Sequence, residues 1–296
     1  MYNIIIPVIY RDFSFLKTTI RYIEKNLSPK KIYVFTDIRF RRFLPNELLH
    51  NDRCFVIDEN MLIEGLTLKR IKGLFELLGR NKMMAGWYFQ QFLKMAFALS
   101  EHCDTDYYLT WDSDTIPLQK LDFFDQHGNP YFTMKIEHHE PYFTTIERLL
   151  GIMNYNTRSY ISEHMLFNKK VMVDLIAHIK LNNRYMGNDW FEKIIYALEP
   201  ESVSPMSFSE FETYGTFCLN RYPHLYIERA LPSFRCGGLI QGRFVSDDIL
   251  MKLSFDQATA SFEIYDRPPF PWGLLSYLYA RWQRRKELFI RRWLLK

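Results

Sequence analysis

Asp106-Tyr107-Tyr108-Leu109-Thr110-Trp111-Asp112-Ser113-Asp114 is the stretch of sequence that decides the fold. The run from Asp106 to Trp111 predicts a buried β-strand that delivers Asp112 at its carboxyl end. In an extended backbone, residues two apart point to the same side, so Asp112 and Asp114 should present their carboxylates together. Paired carboxylates at a strand end suit Mg²⁺ or Mn²⁺, and open α/β sheets bind ligands at that edge. The alternative is a solvated Asp-Ser-Asp turn.

The first forty residues indicate what kind of sheet surrounds this strand. Tyr2 to Ile9 is a β-branched, apolar run typical of a buried parallel strand. Phe15 to Asn26 has helical spacing and stops before Ser28-Pro29, and Lys31 to Thr36 predicts a second strand. A strand, helix and strand in this order favour an α/β sheet with a right-handed crossover. The dinucleotide-binding pattern of glycines is missing after the first strand.

The rest of the chain continues the α/β pattern and divides once. We expect further strands at Cys54–Asp58 and Tyr131–Lys135, helices at 66–80, Trp87–Ser100, Val171–Ile179 and Asp189–Leu198, and short strands and turns at 224–245. Pro268-Pro269-Phe270-Pro271 forbids a helix and should end the folded body. We therefore predict one α/β domain over residues 1–267 and a tail over residues 268–296.

The composition indicates a packed globular protein, because hydrophobic residues make up 48% of the 296 residues and charged residues 24%. The four cysteines include no Cys-x-x-Cys pair, which argues against a zinc site and against a disulfide framework. The N-terminus carries no signal-like segment, and no run of about 18 apolar residues occurs. We expect a cytoplasmic protein without a transmembrane helix.

The positive charge of the chain is concentrated in the tail. Residues 281–296 carry +6, which leaves −2 for residues 1–280 out of a whole-chain balance of +4. A body with a negative balance is untypical of nucleic-acid binders. On a helical wheel, Leu275, Leu278, Trp282, Phe289 and Trp293 cluster beside an arc of arginines, and only Lys286 intrudes. This pattern predicts an amphipathic helix on an anionic membrane surface; a helix packed on its own domain or on a partner is the alternative.

Four sequence blocks carry a resemblance to a known family. They are Gly86-Trp87-Tyr88-Phe89-Gln90-Gln91-Phe92-Leu93-Lys94, Trp111-Asp112-Ser113-Asp114-Thr115-Ile116-Pro117-Leu118, Ser162-Glu163-His164-Met165-Leu166-Phe167 and Phe208-Ser209-Glu210-Phe211-Glu212-Thr213-Tyr214-Gly215. Their order resembles bacterial GT-A glycosyltransferases of capsule and lipopolysaccharide O-antigen gene clusters, over roughly residues 1–245. The resemblance implies a GT-A-like (Rossmann-like) fold, with a mixed, mainly parallel sheet flanked by helices and followed by the amphipathic helical tail.

The resemblance also implies donor-binding residues. The end of the first strand should hold the base and ribose of a nucleotide, through Pro7, Val8, Tyr10 and Arg11, with Asp37 as a further partner or, equally, as a helix cap. Gln90 and Lys94 share a helix face and, with Gln91, should contact the donor sugar or diphosphate; a solvated face is the alternative. Trp111, Asp112 and Ser113 complete the donor site. Arg235 could reach a phosphate with its planar guanidinium.

The acceptor side has four candidate catalytic residues. Glu163 and His164 are adjacent, and His164 could be a third metal ligand beside Asp112 and Asp114, a hydrogen-bonding group or a proton carrier. Glu210 and Glu212 lie among aromatic residues, and either could take the proton of an acceptor hydroxyl if the reaction inverts the anomeric centre. A structural His and solvated Glu side chains are the alternatives.

These expectations combine into one functional hypothesis. The chain would transfer a sugar from a nucleotide donor, a UDP-sugar, to a lipid-linked surface glycan, using Mn²⁺ or Mg²⁺. It would work as a peripheral protein at the cytoplasmic face of the bacterial inner membrane, next to other glycan-assembly enzymes. Two alternatives stay open: a metal-dependent phosphodiesterase or nucleotidyltransferase, and a non-catalytic membrane adaptor with a decayed GT-A fold.

Overall fold

The computed structural model describes residues 1–153 and 158–294 and contains both strands and helices. The strands are β1 (Tyr2–Pro7), β2 (Ile32–Thr36), β3 (Cys54–Asp58), β4 (Tyr107–Trp111), β5 (Thr115–Pro117), β6 (Tyr131–Met134), β7 (His164–Asn168), β8 (Ile227–Ala230), β9 (Ser233–Phe234) and β10 (Thr259–Ser261). The helices are α1 (Phe13–Asn26), α2 (Asn46–Leu49), α3 (Leu68–Leu77), α4 (Ala85–Ala96), α5 (Glu140–Leu150), α6 (Lys169–Leu181), α7 (Trp190–Ala197), α8 (Glu210–Arg221), α9 (Gly238–Gln241), α10 (Asp247–Leu253) and α11 (Trp272–Leu294). Short 3₁₀ segments cover Tyr10–Asp12, Ile38–Phe43, Lys82–Met84, Phe97–Leu99 and Gly242–Phe244.

The largest sheet has five strands in the order β3-β2-β1-β4-β7. β1 pairs in parallel with β4, so that Tyr2 lies opposite Tyr107 and Ile5 opposite Thr110. Every residue of β1 and β2 is buried, as expected of parallel strands covered on both faces. Two smaller sheets follow the orders β5-β10-β9 and β6-β8. The predicted fold class, mixed α/β with a mainly parallel sheet flanked by helices and a C-terminal helix, is confirmed.

The predicted elements match the observed ones closely where the apolar pattern is strong. β3 has the predicted bounds, and α1, α4 and β4 differ from prediction by a few residues at one end or both. The sequence did not predict seven of the elements: α2, α5, α8, α10, β5, β7 and β10. The short helix α9 lies within 224–245, where strands and turns were expected. For α8 the start signal is clear in the structure, because the Ser209 side chain caps the helix by accepting a hydrogen bond from the backbone N–H of Glu212.

The chain divides into two compact units. Unit one comprises Met1–Ile5, Asp58–Thr110 and Phe123–Ala230. Its core includes a chain of aromatic contacts in which Phe97 meets Tyr108 at 5.1 Å between ring centroids, Tyr108 meets Phe167 at 5.4 Å, and Phe167 meets Tyr214 at 4.6 Å. These edge-to-face geometries are the ones that aromatic quadrupoles favour.

Unit two comprises Ile6–Ile57, Trp111–Asp122 and Leu231–Lys296. Its core cluster is formed by buried residues from α1, β5, α10 and β10 and their flanks: Phe15, Tyr22, Ile116, Leu118, Leu250, Ala260 and Phe262. This cluster lies next to the turn that carries Asp112 and Asp114, since Ile116 follows the turn closely. Unit two also contains α11, the helix of the predicted tail. The predicted boundary at residue 267 stays a prediction, and residues 295–296 lie outside the described residues.

Helix α11 packs against unit two through a mostly polar face, and not through its apolar face. Ser276, Gln283 and Ile290, spaced seven residues apart, are its buried residues. Gly242 has a left-handed φ of 60°, and a Cβ there would collide with the Ser276 hydroxyl, so glycine permits the close approach of this helix. The tail therefore packs on its own unit, which was one of the two alternatives, and its apolar arc stays exposed.

Trp282, 53% exposed, and Phe289, 71% exposed, belong to that outward arc. Within residues 1–153 and 158–294, none of the helices combines the length and the apolar character needed to span a bilayer.

Candidate active site

The Asp112-Ser113-Asp114 segment is a tight turn between β4 and β5, not an extended strand end. The backbone N–H of Thr115 donates to the carbonyl of Asp112 at 3.1 Å and closes the turn. We expected an extended backbone to place the carboxylates of Asp112 and Asp114 on the same side, and that expectation of an extended backbone is wrong. In a hydrogen-bonded turn, side chains do not alternate from one side to the other as they do in a strand.

The turn is fixed from both sides by buried partners. The Thr19 hydroxyl donates to the carbonyl of Ser113 at 2.7 Å. The backbone N–H of Phe262 donates to the carbonyl of Asp114 at 2.9 Å. Ser113 is buried, and the Trp111 indole N–H donates to the Thr115 carbonyl at 2.8 Å. Because its backbone is held, the turn presents the two aspartate side chains from a rigid base.

Other acidic side chains surround Asp114. Burial raises the pKa of Asp114 well above its usual value, and the negative charges of Glu263 and Asp12 raise it further, as does Asp112. Burial likewise raises the pKa of Glu263, with Asp112 and Asp266 adding to the effect. Close carboxylates repel one another in this way. Asp12, Asp112, Asp114 and Glu263 thus form an acidic cluster.

Arg243, which the sequence did not predict as a site residue, brings positive charge to this acidic cluster. Its side chain, 5% exposed, pairs with Asp12 and lies 3.6 Å from Asp114 between Nη2 and Oδ2. Its Nε donates to the Phe262 carbonyl at 3.1 Å, and its guanidinium lies 5.5 Å from the centre of the Phe15 ring. No local motif marks Arg243, because its partner Asp12 is 231 positions away in the chain.

Arg235, which was predicted to reach a phosphate, also belongs to unit two. Its charge lowers the pKa of Glu263 and so partly offsets the rise that burial causes. The positive charges of Arg243 and Arg235 thus both act on the same acidic cluster. Arg235 as a phosphate ligand stays a prediction.

The residues predicted to hold a base and ribose lie at the end of β1 and β2. Pro7 ends β1, and the backbone N–H of the buried Val8 donates to the Phe35 carbonyl at 2.8 Å. The ring of Tyr10 is buried against Phe40, with centroids 5.2 Å apart. These contacts make the three residues part of the packed framework of unit two.

Asp37 and Arg11 are both engaged by ion pairs, and each reaches α11. Asp37 caps the 3₁₀ segment Ile38–Phe43 and accepts two side-chain hydrogen bonds from Arg39, at 2.8 and 2.6 Å. Burial alone would raise the pKa of Asp37, but the hydrogen bonds and charge of Arg39 outweigh it and leave the pKa below its usual value. Arg291 of α11 lies 3.7 Å from Asp37, and Glu287 lies 3.4 Å from Arg11. Asp37 thus acts as a helix cap, which was one of the two roles expected of it.

The predicted residues of α4 lie in unit one, where α4 contacts α8. Lys94 Nζ is 2.9 Å from Glu210 Oε1, and both side chains are almost fully buried, at 6% and 4% exposure. The backbone N–H of Glu210 donates to the Gln91 side-chain oxygen at 3.1 Å. Gln90 is only half-buried. The face of α4 that meets Glu210 thus includes Gln91 and Lys94. The donor contact expected of Gln90, Gln91 and Lys94 stays a prediction.

Glu212 occupies a separate buried position in the first turn of α8. Its Oε1 accepts hydrogen bonds from the Ser159 hydroxyl and, at 3.0 Å, from the backbone N–H of Tyr160. Burial raises the pKa of Glu212, and these hydrogen bonds offset only part of the rise. A raised pKa brings a carboxylate closer to neutral pH, where a general base works best. Glu210 differs, since it is tied to the positive charge of Lys94.

Glu163 and His164 lie at the start of β7 in unit one, and both are buried. His164 Nε2 is 3.3 Å from the Thr133 hydroxyl, and the imidazole meets the Phe123 ring edge-on at 5.6 Å. Burial, together with the charges of Arg229 and Lys135, lowers the pKa of His164 to about 3. At neutral pH the imidazole is therefore uncharged, which does not suit a proton carrier working near pH 7.

The predicted metal site has at most two protein ligands among the described residues. Across residues 1–153 and 158–294, no group of three or more His, Cys, Asp or Glu side chains is arranged to hold a metal ion, so Asp112, Asp114 and His164 do not form one. Two carboxylates still fit Mg²⁺ or Mn²⁺, because Mg²⁺ is commonly held by one or two carboxylates together with substrate phosphates and water. The repulsion around Asp114 is the observation of this structure that suits such an ion.

Comparisons with solved structures return glycosyltransferases at low identity. A galactosyltransferase, LgtC, in complex with donor and acceptor sugar analogues is 10% identical over 94% of this chain and 95% of its own, with a TM-score of 0.45. Mouse xyloside xylosyltransferase 1 is 10% identical over 91% and 99%, with a TM-score of 0.43. The bifunctional glycosyltransferase WbbM is 13% identical over 94% of this chain and 51% of its own, with a TM-score of 0.46. Likeness at this level assigns no function to this chain.

No curated protein matches the sequence. A family model does match, and it spans residues 17–227, from α1 to the start of β8, which is more than half of the chain. That span includes the Asp112-Ser113-Asp114 turn and the buried Lys94–Glu210 pair, while Arg243 and α11 lie beyond it. The chain belongs to the family described as "Family of unknown function (DUF6492)".

Proposed function

We propose that this chain is a metal-dependent glycosyltransferase that moves a sugar from a nucleotide donor, a UDP-sugar, to a hydroxyl group of a glycan. The observation that carries the proposal is the acidic cluster on the rigid turn after β4, where Asp114 is pushed toward its protonated form by Glu263, Asp12 and Asp112 in addition to burial. The order of the four sequence blocks supports the same reaction class.

In the proposed reaction, Asp112 and Asp114 would hold Mn²⁺ or Mg²⁺. When bound, the ion would supply Lewis acidity that offsets the negative charge developing on the diphosphate. Arg243 keeps the Asp114 carboxylate in place and limits the repulsion between it and Asp12. An acceptor hydroxyl forms the new bond to the anomeric carbon while the bond to the diphosphate oxygen breaks. Glu210 and Glu212 stay the candidate bases for the hydroxyl proton.

The place of the reaction is also part of the proposal. The exposed arc of α11 carries Trp282, Phe289 and Trp293 beside arginines such as Arg285, and this combination of aromatic and basic groups favours an anionic bilayer surface. The acceptor would then be a lipid-linked glycan of the O-antigen or capsule type at the cytoplasmic face of a bacterial inner membrane, where other glycan-assembly enzymes are potential partners.

The test is a screen of nucleotide sugars with Mn²⁺, read out as release of free UDP. Asp114→Ala should lose metal-dependent UDP release, and its melting temperature should stay near that of the wild type because removal of one carboxylate relieves repulsion in the cluster. Asp248→Ala is the matched control, since Asp248 is an exposed aspartate of unit two paired with Lys252. Release of UMP or sugar phosphate, instead of UDP, would favour a phosphodiesterase or nucleotidyltransferase. Normal turnover by Asp114→Ala would refute the role of this turn.

A further inference from the structure

A surface cavity of about 330 Å³ lies in unit two, outside the residues assigned to the proposed reaction. The 3₁₀ segment Ile38–Phe43 forms most of its wall, and α2 and the last described turn of α11 complete it. Its lining residues are Ile38, Arg39, Arg41, Arg42, Leu49 and Leu294. Three arginines and three aliphatic residues thus surround one cavity, a combination of positive charge and apolar surface.

The arginines of this cavity are only partly neutralised. Arg39 is bound by the Asp37 carboxylate. Arg41 and Arg42 have no carboxylate partner within the part of the chain that the structure describes, although many other arginines there are paired with one. Two guanidinium groups beside one cavity therefore keep their full charge, and a guanidinium fork matches the oxygens of a phosphate.

The cavity is joined to the outward face of α11. The Arg42 guanidinium lies 4.3 Å from the centre of the Trp293 ring and 4.9 Å from that of Phe43. Trp293 is more than half exposed and belongs to the same arc as Trp282 and Phe289. Aromatic side chains of this kind favour the interfacial region of a bilayer, which is the depth at which lipid phosphates lie. An anion bound between Arg41 and Arg42 would therefore sit beside the exposed aromatic residues of α11.

We propose that the cavity lined by Arg39, Arg41 and Arg42 binds the phosphate of an anionic phospholipid headgroup. Ile38, Leu49 and Leu294 would contact the glycerol and the first acyl carbons, while the two uncompensated guanidinium groups hold the phosphate oxygens. The inference rests on the proposed attachment of α11 to a membrane and adds a defined headgroup site to it. It assigns a ligand class to a surface outside the acidic cluster of the proposed reaction.

The experiment measures binding of the full-length protein to vesicles by co-sedimentation. One vesicle type contains phosphatidylglycerol and phosphatidylcholine in equal parts, and the other contains phosphatidylcholine alone. Arg41→Gln/Arg42→Gln should weaken binding to the anionic vesicles about twenty-five-fold, since each arginine near an anionic surface contributes about fivefold. Arg41→Lys/Arg42→Lys keeps both charges and removes the planar forks, and it should still weaken binding about tenfold if a phosphate is held in a site.

Lys69→Gln/Lys72→Gln removes two positive charges from α3 in unit one and is the matched control, which should bind as the wild type does. Wild-type affinity in Arg41→Lys/Arg42→Lys would overturn the site and leave only a diffuse charge effect. Direct binding of millimolar inorganic phosphate, lost in Arg41→Gln/Arg42→Gln, would overturn the lipid source. A wild-type protein that binds neither vesicle would overturn the attachment of α11 together with the site. Vesicle binding needs no donor or metal, so these outcomes are independent of sugar transfer.

Discussion

The buried ion pair between Lys94 and Glu210 makes the sharpest prediction about this structure. Lys94→Met removes the cation and fills its volume with an apolar side chain. The Glu210 carboxylate then stays in the interior of unit one, where both partners are almost fully shielded from water in the wild type. The helix dipole still stabilises this carboxylate, because Glu210 lies in the first turn of α8, where a negative charge is favourable.

The expected cost follows from the 2.9 Å separation and the 6% and 4% exposure of the two side chains. Removing one member of a buried pair leaves an uncompensated charge and costs about 3–5 kcal/mol. In a domain of this size class, a loss of about 1 kcal/mol lowers the melting temperature by about 2–4 °C, so Lys94→Met should melt about 6–20 °C below the wild type. Lys94→Met/Glu210→Met removes both charges and should recover at least half of that loss, because apolar replacement of a whole buried pair is often close to neutral.

The assay is thermal unfolding followed by circular dichroism, with the four proteins of the double-mutant cycle measured side by side. Lys82→Met is the control, because Lys82 and Glu76 lie 2.8 Å apart in unit one but are 52% and 67% exposed. An exposed pair contributes no more than about 1 kcal/mol, so this variant should melt within a few degrees of the wild type. If Lys94→Met behaves like Lys82→Met, or if the double substitution is no better than Lys94→Met, the reasoning about the buried pair is refuted.

Three further predictions concern other parts of the chain. Burial lowers the pKa of His164 to about 3 from its ordinary 6.5, so the folded state keeps the imidazole neutral. Below pH 6.5 the unfolded state takes up a proton that the folded state does not, and the free energy of unfolding falls by up to about 1.4 kcal/mol per pH unit as the pH drops toward 3. The urea midpoint should therefore fall more steeply between pH 7 and 5 in the wild type than in His164→Gln, and equal slopes would contradict this. Arg243→Gln removes the cation beside Asp114 and should lower the free energy of unfolding by about 3 kcal/mol in the absence of metal. Mn²⁺ should nevertheless raise the melting temperature of this variant more than that of the wild type. An equal shift would argue against an ion at this cluster. Trp282→Ser/Phe289→Ser should melt within about 2 °C of the wild type, because both side chains are more than half exposed, and should lose vesicle binding; a large drop in melting temperature would show that this arc packs on protein.

The sequence alone predicted the strands and helices that have a strong apolar pattern. β1 and β2 are mostly apolar and β-branched or aromatic, which favours a buried parallel strand. α8 was missed because its buried face is rich in polar residues such as Glu210, Glu212 and Thr213, so apolar spacing gives no helical signal there. Its start signal, Ser209 followed three residues later by Glu212, was present in the sequence and was the information that could have found it.

Some features of the candidate site could likewise be predicted from the sequence, and others could not. The sequence by itself determined that Asp112 and Asp114 follow a buried strand and that the tail is amphipathic and basic, because these properties depend on neighbours in the chain. Only the tertiary structure decided that the two aspartates lie in a closed turn, that Arg243 pairs with Asp12 and Asp114, and that α11 packs through Ser276 and not through its apolar arc. Those features depend on charges and surfaces far apart in sequence, and the free energy of an ion pair or a packed face is set by distance in space and by burial, which spacing along the chain does not encode.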